Sequence, residues 1–165
     1  PKEAAEGRLN LLVGGDEALL ARLRPVLQCF AENITHVGPV GAGHSMKLLH
    51  NYVSLGMVTL LAEAAACAER SGVAPEAFVD VLAQGGGGGI ALKRLEPYLR
   101  ARDTAGLRFS LGNARKDLGY YQSMAGDAQA HRAIAAAVFA TIESAVEALG
   151  PEALVPEMVS ALARG

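Results

Sequence analysis

The sequence has 165 residues, with 15 basic and 17 acidic side chains and a formal net charge of −2. This length suits one domain, or one domain and a short additional piece, and the balanced charge without a basic run excludes an electrostatic surface for nucleic acid. Hydrophobic residues make up 51% of the chain and aromatic residues 5%, which excludes disorder as the main state and predicts a core of Ala, Leu and Val.

Cysteine content and hydropathy predict a soluble, cytoplasmic protein. Cys29 and Cys67 are too few for a disulfide framework or a zinc site, so no metal is expected. The opening residues are polar and do not resemble a signal peptide. The most hydrophobic stretch, residues 53–68, contains Glu63 and is shorter than the roughly 20 apolar residues of a membrane span. We therefore expect no membrane partner.

The N-terminal residues predict a piece of an α/β fold. Residues 9–13 are typical of a short buried strand. Asp16 is expected to cap a helix through Leu27, with a kink or a restart at Pro25, and residues 34–37 are expected to form a second strand. Two or three strands around one helix do not close a sheet alone. We therefore expect these elements to be the edge of a larger α/β domain.

The remainder of the chain has a helical pattern. Pro75 is typical of a first helical turn, and the pair Ser71-Gly72 is typical of a helix end. The glycine run at 85–89 interrupts the pattern because glycine loses the most backbone entropy on folding. Helices are predicted over residues 42–70, 75–84, 90–100, 110–125, 131–149 and 156–163.

The long predicted helix has one polar patch near its N-terminal end. Lys47, His50, Asn51 and Ser54 fall within about 100° of one another, whereas Val58 continues the same stripe as an apolar residue. A buried lysine and amide require polar partners. The patch is also compatible with a lysine that reaches solvent and an amide that pairs with nearby backbone, which needs no function.

The segment before this helix favours a binding site. Glycines at 38, 41 and 43 allow backbone N–H groups to approach an anion, and a helix N-terminus stabilises negative charge. A carboxylate or phosphate bound there would lie about one turn from Lys47. A glycine-rich helix start alone is a weak signal, but its combination with Lys47 and Asn51 at fixed spacing is specific.

These glycines, followed by Lys47 and Asn51, resemble the catalytic signature of the β-hydroxyacid dehydrogenases, the group that includes 3-hydroxyisobutyrate dehydrogenase and tartronate semialdehyde reductase. The resemblance extends over nearly the whole chain. Residues 6–15 are similar to the end of the nucleotide domain of that family, and residues 109–118 are similar to its second helical motif.

The resemblance implies a mainly α fold. Residues 40–165 would form a multi-helix substrate and oligomerisation domain like the C-terminal domain of 6-phosphogluconate dehydrogenase, and residues 1–39 would be the C-terminal end of a Rossmann domain. The implied cofactor is NAD or NADP. The glycine-rich turn that binds its pyrophosphate does not occur after a predicted strand, and the run at 85–89 follows none. Most of the cofactor site is therefore expected outside this chain.

The resemblance also implies the roles of the substrate-site residues. Lys47 would be the general acid and base at the substrate oxygen. A buried amine can accept and return a proton when its pKa is lowered to about 7–8. Asn51 would bind the substrate or orient the ammonium group. The backbone of Gly41 and Gly43 would help to bind the substrate carboxylate.

Cofactor contacts are implied for two residues of the second motif. Lys116 matches the family lysine near the nicotinamide, and Phe109 is expected to line the same pocket. Other polar residues are interpreted as structural. Asp117 is expected to pair with an arginine or a helix end, and Glu63 is expected to be buried with a hydrogen bond to another helix.

Three functions remain open at this point. The first is part of an NAD(P)-dependent oxidoreductase that interconverts a small β-hydroxyacid and its semialdehyde. The second is a sister enzyme of the imine reductase type, against which Lys47 argues because that branch usually replaces it. The third is a non-catalytic helical module for assembly. The polar patch favours the first, with a homodimer or homotetramer formed through the helices and no activity in this chain alone.

Overall fold

A computed structural model of the protein describes residues 2–164, with side chains from residue 4 onward. Two strands and two short helices come first, and helices alone follow. The elements are α1 (Lys2–Ala5), β1 (Leu9–Gly14), α2 (Glu17–Leu27), β2 (Ala31–Gly38), α3 (Ala42–Arg70), α4 (Pro75–Gln84), α5 (Ile90–Ala101), α6 (Leu111–Asp127), α7 (Ala133–Leu149) and α8 (Met158–Arg164), with a 3₁₀ turn at Val155–Glu157. The predicted mainly α fold with a short α/β piece is confirmed.

Two local predictions in the N-terminal part need correction. The helix α2 continues without a restart through Pro25, which lies in its last turn and removes only one backbone hydrogen bond. The strand β2 begins at Ala31, three residues earlier than predicted, because residues 31–33 continue the pairing with β1. The predicted cap is confirmed, since the carboxylate of Asp16 accepts a hydrogen bond from the amide of Leu19 at 2.6 Å.

The chain up to His50 forms one compact unit. In it, β1 and β2 pair in parallel, with Leu12 opposite Thr35, and α2 provides the crossover between them. The imidazole Nε2 of His36 lies 2.7 Å from the carbonyl oxygen of Gly15 and ties β2 to the turn after β1. The C-terminal ends of both parallel strands therefore lie at the edge from which the chain enters α3.

The chain from Asn51 onward forms a second compact unit with a helical core. Small and branched aliphatic side chains dominate it, which agrees with the composition. Its fully buried large side chains are Val58, Val79, Leu95, Leu111, Leu118, Ile142, Val155, Met158 and Val159. At its surface, Arg100 of α5 donates hydrogen bonds to Asp80 of α4 and to Glu96, and both raise the pKa of the guanidinium.

The helix α3 is buried on one side only. Leu55, Val58 and Ala62 belong to the core, whereas Leu60 is 69% exposed. Glu63 is exposed as well, which corrects the prediction that it is buried. By length and composition α3 is also apolar enough to cross a membrane, contrary to the expectation from residues 53–68. A core helix of a soluble protein meets the same criteria, so this is weak support for a membrane span.

Candidate functional site

Glycine is required around the start of α3 for two separate structural reasons. Gly38 and Gly41 have φ values of +128° and +94°, a region that favours glycine. Gly43 permits a close approach instead, since a Cβ atom there would lie 2.5 Å from the carbonyl oxygen of Leu12. A Cβ at Gly14 would clash with the carbonyl oxygen of Pro39 in the same way. The first turn of α3 is thus packed directly against the end of β1.

Several amides of this first turn already have acceptors. The amide of Ala42 donates to the carbonyl oxygen of Pro39 at 3.0 Å, and the amides of His44 and Ser45 donate to Gly41 at 3.1 and 3.2 Å. Fewer donors are therefore left for an anion than the glycine pattern suggests. Carboxylate binding by the backbone of Gly41 and Gly43 stays a prediction.

Lys47 lies in the second turn of α3 and its side chain is exposed. Of the two arrangements that the sequence leaves open, this chain shows the one in which the lysine reaches solvent. The neighbouring apolar side chains of Met46 and Leu49 are also more than one third exposed. Lys47 would be buried only if other atoms covered the whole start of α3, and the sequence pattern alone cannot show whether they do. Its catalytic role stays a prediction.

Asn51, four residues after Lys47 on α3, is held by a carboxylate. Its Nδ2 atom donates to Oδ2 of Asp117 on α6 at 2.8 Å. The Asp117 side chain is only 18% exposed, and its Oδ1 lies 3.5 Å from Nζ of Lys116. The partners of Asp117 are thus an amide and a lysine, not the arginine or helix end that the sequence predicted. Because a carboxylate only accepts, this contact fixes which side of the amide carries the nitrogen.

The two predicted cofactor residues differ in their surroundings. The side chain of Lys116 is 53% exposed, and its Nζ donates to Oδ1 of Asn113 at 3.3 Å. Phe109 is half-buried against the helical core, and its carbonyl oxygen accepts a hydrogen bond from Val155 at 2.8 Å. Lys116 is therefore accessible to a ligand, whereas the Phe109 ring is partly engaged in packing. Both roles stay predictions.

An aromatic pair that the sequence pattern did not predict lies beside the Asn51–Asp117 contact. Tyr52 and Tyr121 stack with ring centroids 4.1 Å apart and an interplanar angle of 12°. Tyr52 directly follows Asn51, and Tyr121 follows Asp117 by one helical turn, so the two contacts between α3 and α6 are adjacent. The spacing of four residues between Asp117 and Tyr121 could have indicated that both lie on one face of α6. That Tyr52 of α3 is the stacking partner depends on tertiary packing, which no local pattern reveals.

An apolar groove lies elsewhere in the helical unit, between α3 and α7. It encloses about 380 Å³ and is lined by Tyr52, Val53, Gly56, Met57, Thr59, Leu60, Glu63, Ile134, Ala137, Val138 and Thr141. Thr59 is buried, and among the described residues its hydroxyl is the one buried side-chain polar atom without a hydrogen-bond partner. Within residues 2–164, no three His, Cys, Asp or Glu side chains are grouped so that they could hold a metal ion.

Two family models match the chain. The NAD-binding domain of NADP-dependent 3-hydroxyisobutyrate dehydrogenase matches residues 41–162, and the NAD-binding domain of 6-phosphogluconate dehydrogenase matches residues 1–38. The two matches meet at the glycine-containing turn that leads into α3. Compact packing divides the chain later, within α3, and the predicted boundary at 39/40 stays a prediction.

Several enzymes are similar in sequence or structure. The 2-(hydroxymethyl)glutarate dehydrogenase of Eubacterium barkeri is 32% identical over 72% of this chain and 39% of its own length. The NAD-dependent L-serine dehydrogenase of Pseudomonas aeruginosa is 32% identical over 74% of this chain and 43% of its own length. The 3-hydroxyisobutyrate dehydrogenase of Mycobacterium tuberculosis, solved with L-serine, superimposes with a TM-score of 0.86 at 27% identity, over 98% of this chain and 57% of that one. The chain thus spans less than two thirds of each.

Proposed function

The chain belongs to the 3-hydroxyisobutyrate dehydrogenase family, and from this premise we propose that it is the helical part of an NAD(P)-dependent oxidoreductase that acts on a small β-hydroxyacid. The observation that carries the proposal is the amide of Asn51, oriented by Asp117 one helical turn after Lys47. An assembly module gains nothing from an amide fixed in this way beside a lysine. An oxidoreductase needs such a group to hold the substrate near the residue that takes its proton.

The substrates named for the relatives suggest the substrate class. The substrate names 3-hydroxyisobutyrate, 2-(hydroxymethyl)glutarate and L-serine all describe a CH₂OH group on the carbon next to a carboxylate. They differ in the third substituent on that carbon, which is a methyl group, a carboxyethyl group or an ammonium group. We therefore infer a substrate with a primary alcohol β to a carboxylate, which is oxidised to the aldehyde.

Lys47 is the proposed proton carrier. When the alcohol is oxidised, the C–H bond of the carbinol carbon breaks with its electron pair, and the O–H bond must release its proton as the carbonyl group forms. The amino group of Lys47 takes that proton, and in the reverse reaction it returns the proton to the oxygen. Because Lys47 is exposed in this chain, the step also requires that bound substrate and cofactor exclude water from the start of α3.

The surroundings of Lys116 are compatible with the binding of a dinucleotide cofactor. When bound, the nicotinamide supplies the acceptor for the hydride. The half-exposed ammonium group of Lys116, anchored by Asn113 and near Asp117, offers a positive charge at a fixed place on α6. This suits an anionic cofactor. Lys116 would hold it, whereas Phe109 would contribute only the exposed part of its ring.

The proposal is tested by assaying the intact enzyme that contains this chain. With NAD and then NADP, we expect 3-hydroxyisobutyrate, L-serine or a related β-hydroxyacid to produce reduced nicotinamide, measured by its absorbance. Acids that carry the hydroxyl on the carbon adjacent to the carboxylate are the matched controls and should react poorly, because the alcohol is one carbon too close to the carboxylate. Absence of turnover with every β-hydroxyacid would contradict the proposal and favour the assembly role.

We also propose that a second copy of this chain occupies the groove between α3 and α7. Leu60 and Ile134 protrude from it with 69% and 72% of their surface exposed, and the small Gly56 and Ala137 lie among its lining residues. Because the same surface carries both protrusions and small residues, two copies related by a twofold axis can interlock. Glu63 is the one charged residue among those lining the groove, as expected of a homodimer core.

Introducing a charge at the groove should weaken this dimer. We expect Leu60→Glu to raise the dimer dissociation constant at least about tenfold, because a carboxylate would be buried without a partner. Val81→Glu is the matched control, since Val81 is equally exposed but lies on α4 outside the groove. Light scattering coupled to size exclusion measures both. An unchanged mass for Leu60→Glu at low concentration would contradict the groove as the interface.

A further inference from the structure

Two contacts join α3 to α6 side by side, and only one of them is polar. Asn51 donates to Asp117, and the next residue of α3, Tyr52, stacks on Tyr121. Tyr121 is buried, whereas the neighbouring Tyr120 is 57% exposed and takes no part in the stack. The ring centroids lie 4.1 Å apart and the rings are nearly parallel, so the stack joins α3 to α6 next to the hydrogen bond between Asn51 and Asp117.

We propose that Tyr52 and Tyr121 are positioning residues that keep α3 and α6 at the separation at which Asp117 holds the amide of Asn51. The inference rests on the proposed function, because it assigns the pair to the substrate site. The residues do not touch substrate in this role. They act through Asn51, whose orientation decides how the substrate is held relative to Lys47.

The hydrogen bond between Asn51 and Asp117 alone would fix the position of the amide only weakly. Asn51 and Asp117 are both partly exposed, so water competes for each of them. A stacked aromatic pair with one ring buried has a narrow range of favourable separations, so it restrains the two helices more firmly than the hydrogen bond does. Removing one ring should therefore loosen the hold of Asp117 on the Asn51 amide and weaken substrate binding without unfolding the helices.

The test compares three variants in the intact enzyme. We expect Tyr121→Leu to raise KM for the β-hydroxyacid about tenfold with kcat changed less than about threefold, because Asn51 is placed in substrate binding. Tyr121→Phe keeps the stack and should behave like the parent enzyme. Tyr120→Leu is the matched control on the exposed neighbour and should also behave like the parent. Equal effects of Phe and Leu at 121, or no effect of Leu, would overturn the proposal.

A combination with Asp117→Ala separates positioning from general packing. If the stack acts through the Asn51–Asp117 contact, Tyr121→Leu should add little to KM once Asp117 is replaced. If the KM of the double variant instead rises by the product of the two single increases, the proposal is overturned. If the parent enzyme oxidises no β-hydroxyacid, the proposed function fails on its own, and the shifts in unfolding midpoint of the same single and double variants decide the coupling. Additive shifts would then overturn the positioning role, and non-additive shifts would support it.

Discussion

Replacing Lys47 by alanine is expected to lower kcat of the intact enzyme about 1,000-fold, because the alcohol proton then has no positioned acceptor. The dissociation constant of the cofactor should stay within about twofold of the parent value, since Lys47 is assigned to the substrate oxygen. Steady-state kinetics with the preferred β-hydroxyacid and fluorescence titration with the nicotinamide cofactor measure the two quantities separately.

Three controls make the result specific to the amine of Lys47. Lys93→Ala removes an exposed lysine of α5 and should leave kcat unchanged. Lys47→Arg keeps the positive charge but should recover little activity, because a guanidinium does not give up its proton near neutral pH. A small primary amine added to the alanine variant should restore part of the turnover. If Lys47→Ala keeps more than a third of the parent kcat, Lys47 is a surface lysine without a role in proton transfer.

The exposure of Lys47 marks the limit of what the helical pattern could predict. The pattern placed Lys47 and Asn51 on one side of a helix over 42–70, and α3 has these bounds because glycines precede it and Ser71-Gly72 end it, which are local signals. Burial is a different property, since it depends on what covers a face. Lys47 and Glu63 both lie among apolar neighbours in the sequence, and both are exposed.

Long-range contacts were the other part that the sequence did not reveal. Asn51 and Asp117 are both conspicuous as polar residues on predicted helices, but they lie 66 positions apart, and no local rule pairs them. The stack of Tyr52 on Tyr121 was missed for the same reason. In contrast, the Asp16 cap and the Pro75 start of α4 were predictable, since each depends only on residues within one turn.

Replacing Gly43 distinguishes two reasons for glycine at this position, close packing and ligand binding. We expect Gly43→Ala to lower the free energy of unfolding by about 1–3 kcal/mol, because its Cβ would lie 2.5 Å from the Leu12 carbonyl oxygen and 3.3 Å from the Gly14 amide. Both neighbours are backbone atoms, which cannot move aside by changing rotamer, so the first turn of α3 must shift away from β1. Denaturant unfolding of the protein measures the change.

Gly119→Ala is the matched control for this experiment. Its Cβ would meet only the Phe139 ring, at an ordinary 3.8 Å, and alanine within a helix gains up to about 1 kcal/mol over glycine. We therefore expect equal or higher stability for this variant and a loss for Gly43→Ala. If Gly43→Ala is as stable as the control but the enzyme no longer binds its hydroxyacid, the close packing is not what requires glycine there. Glycine would then be required at this position because a side chain would block the approach of a carboxylate to the backbone, as the sequence pattern predicted.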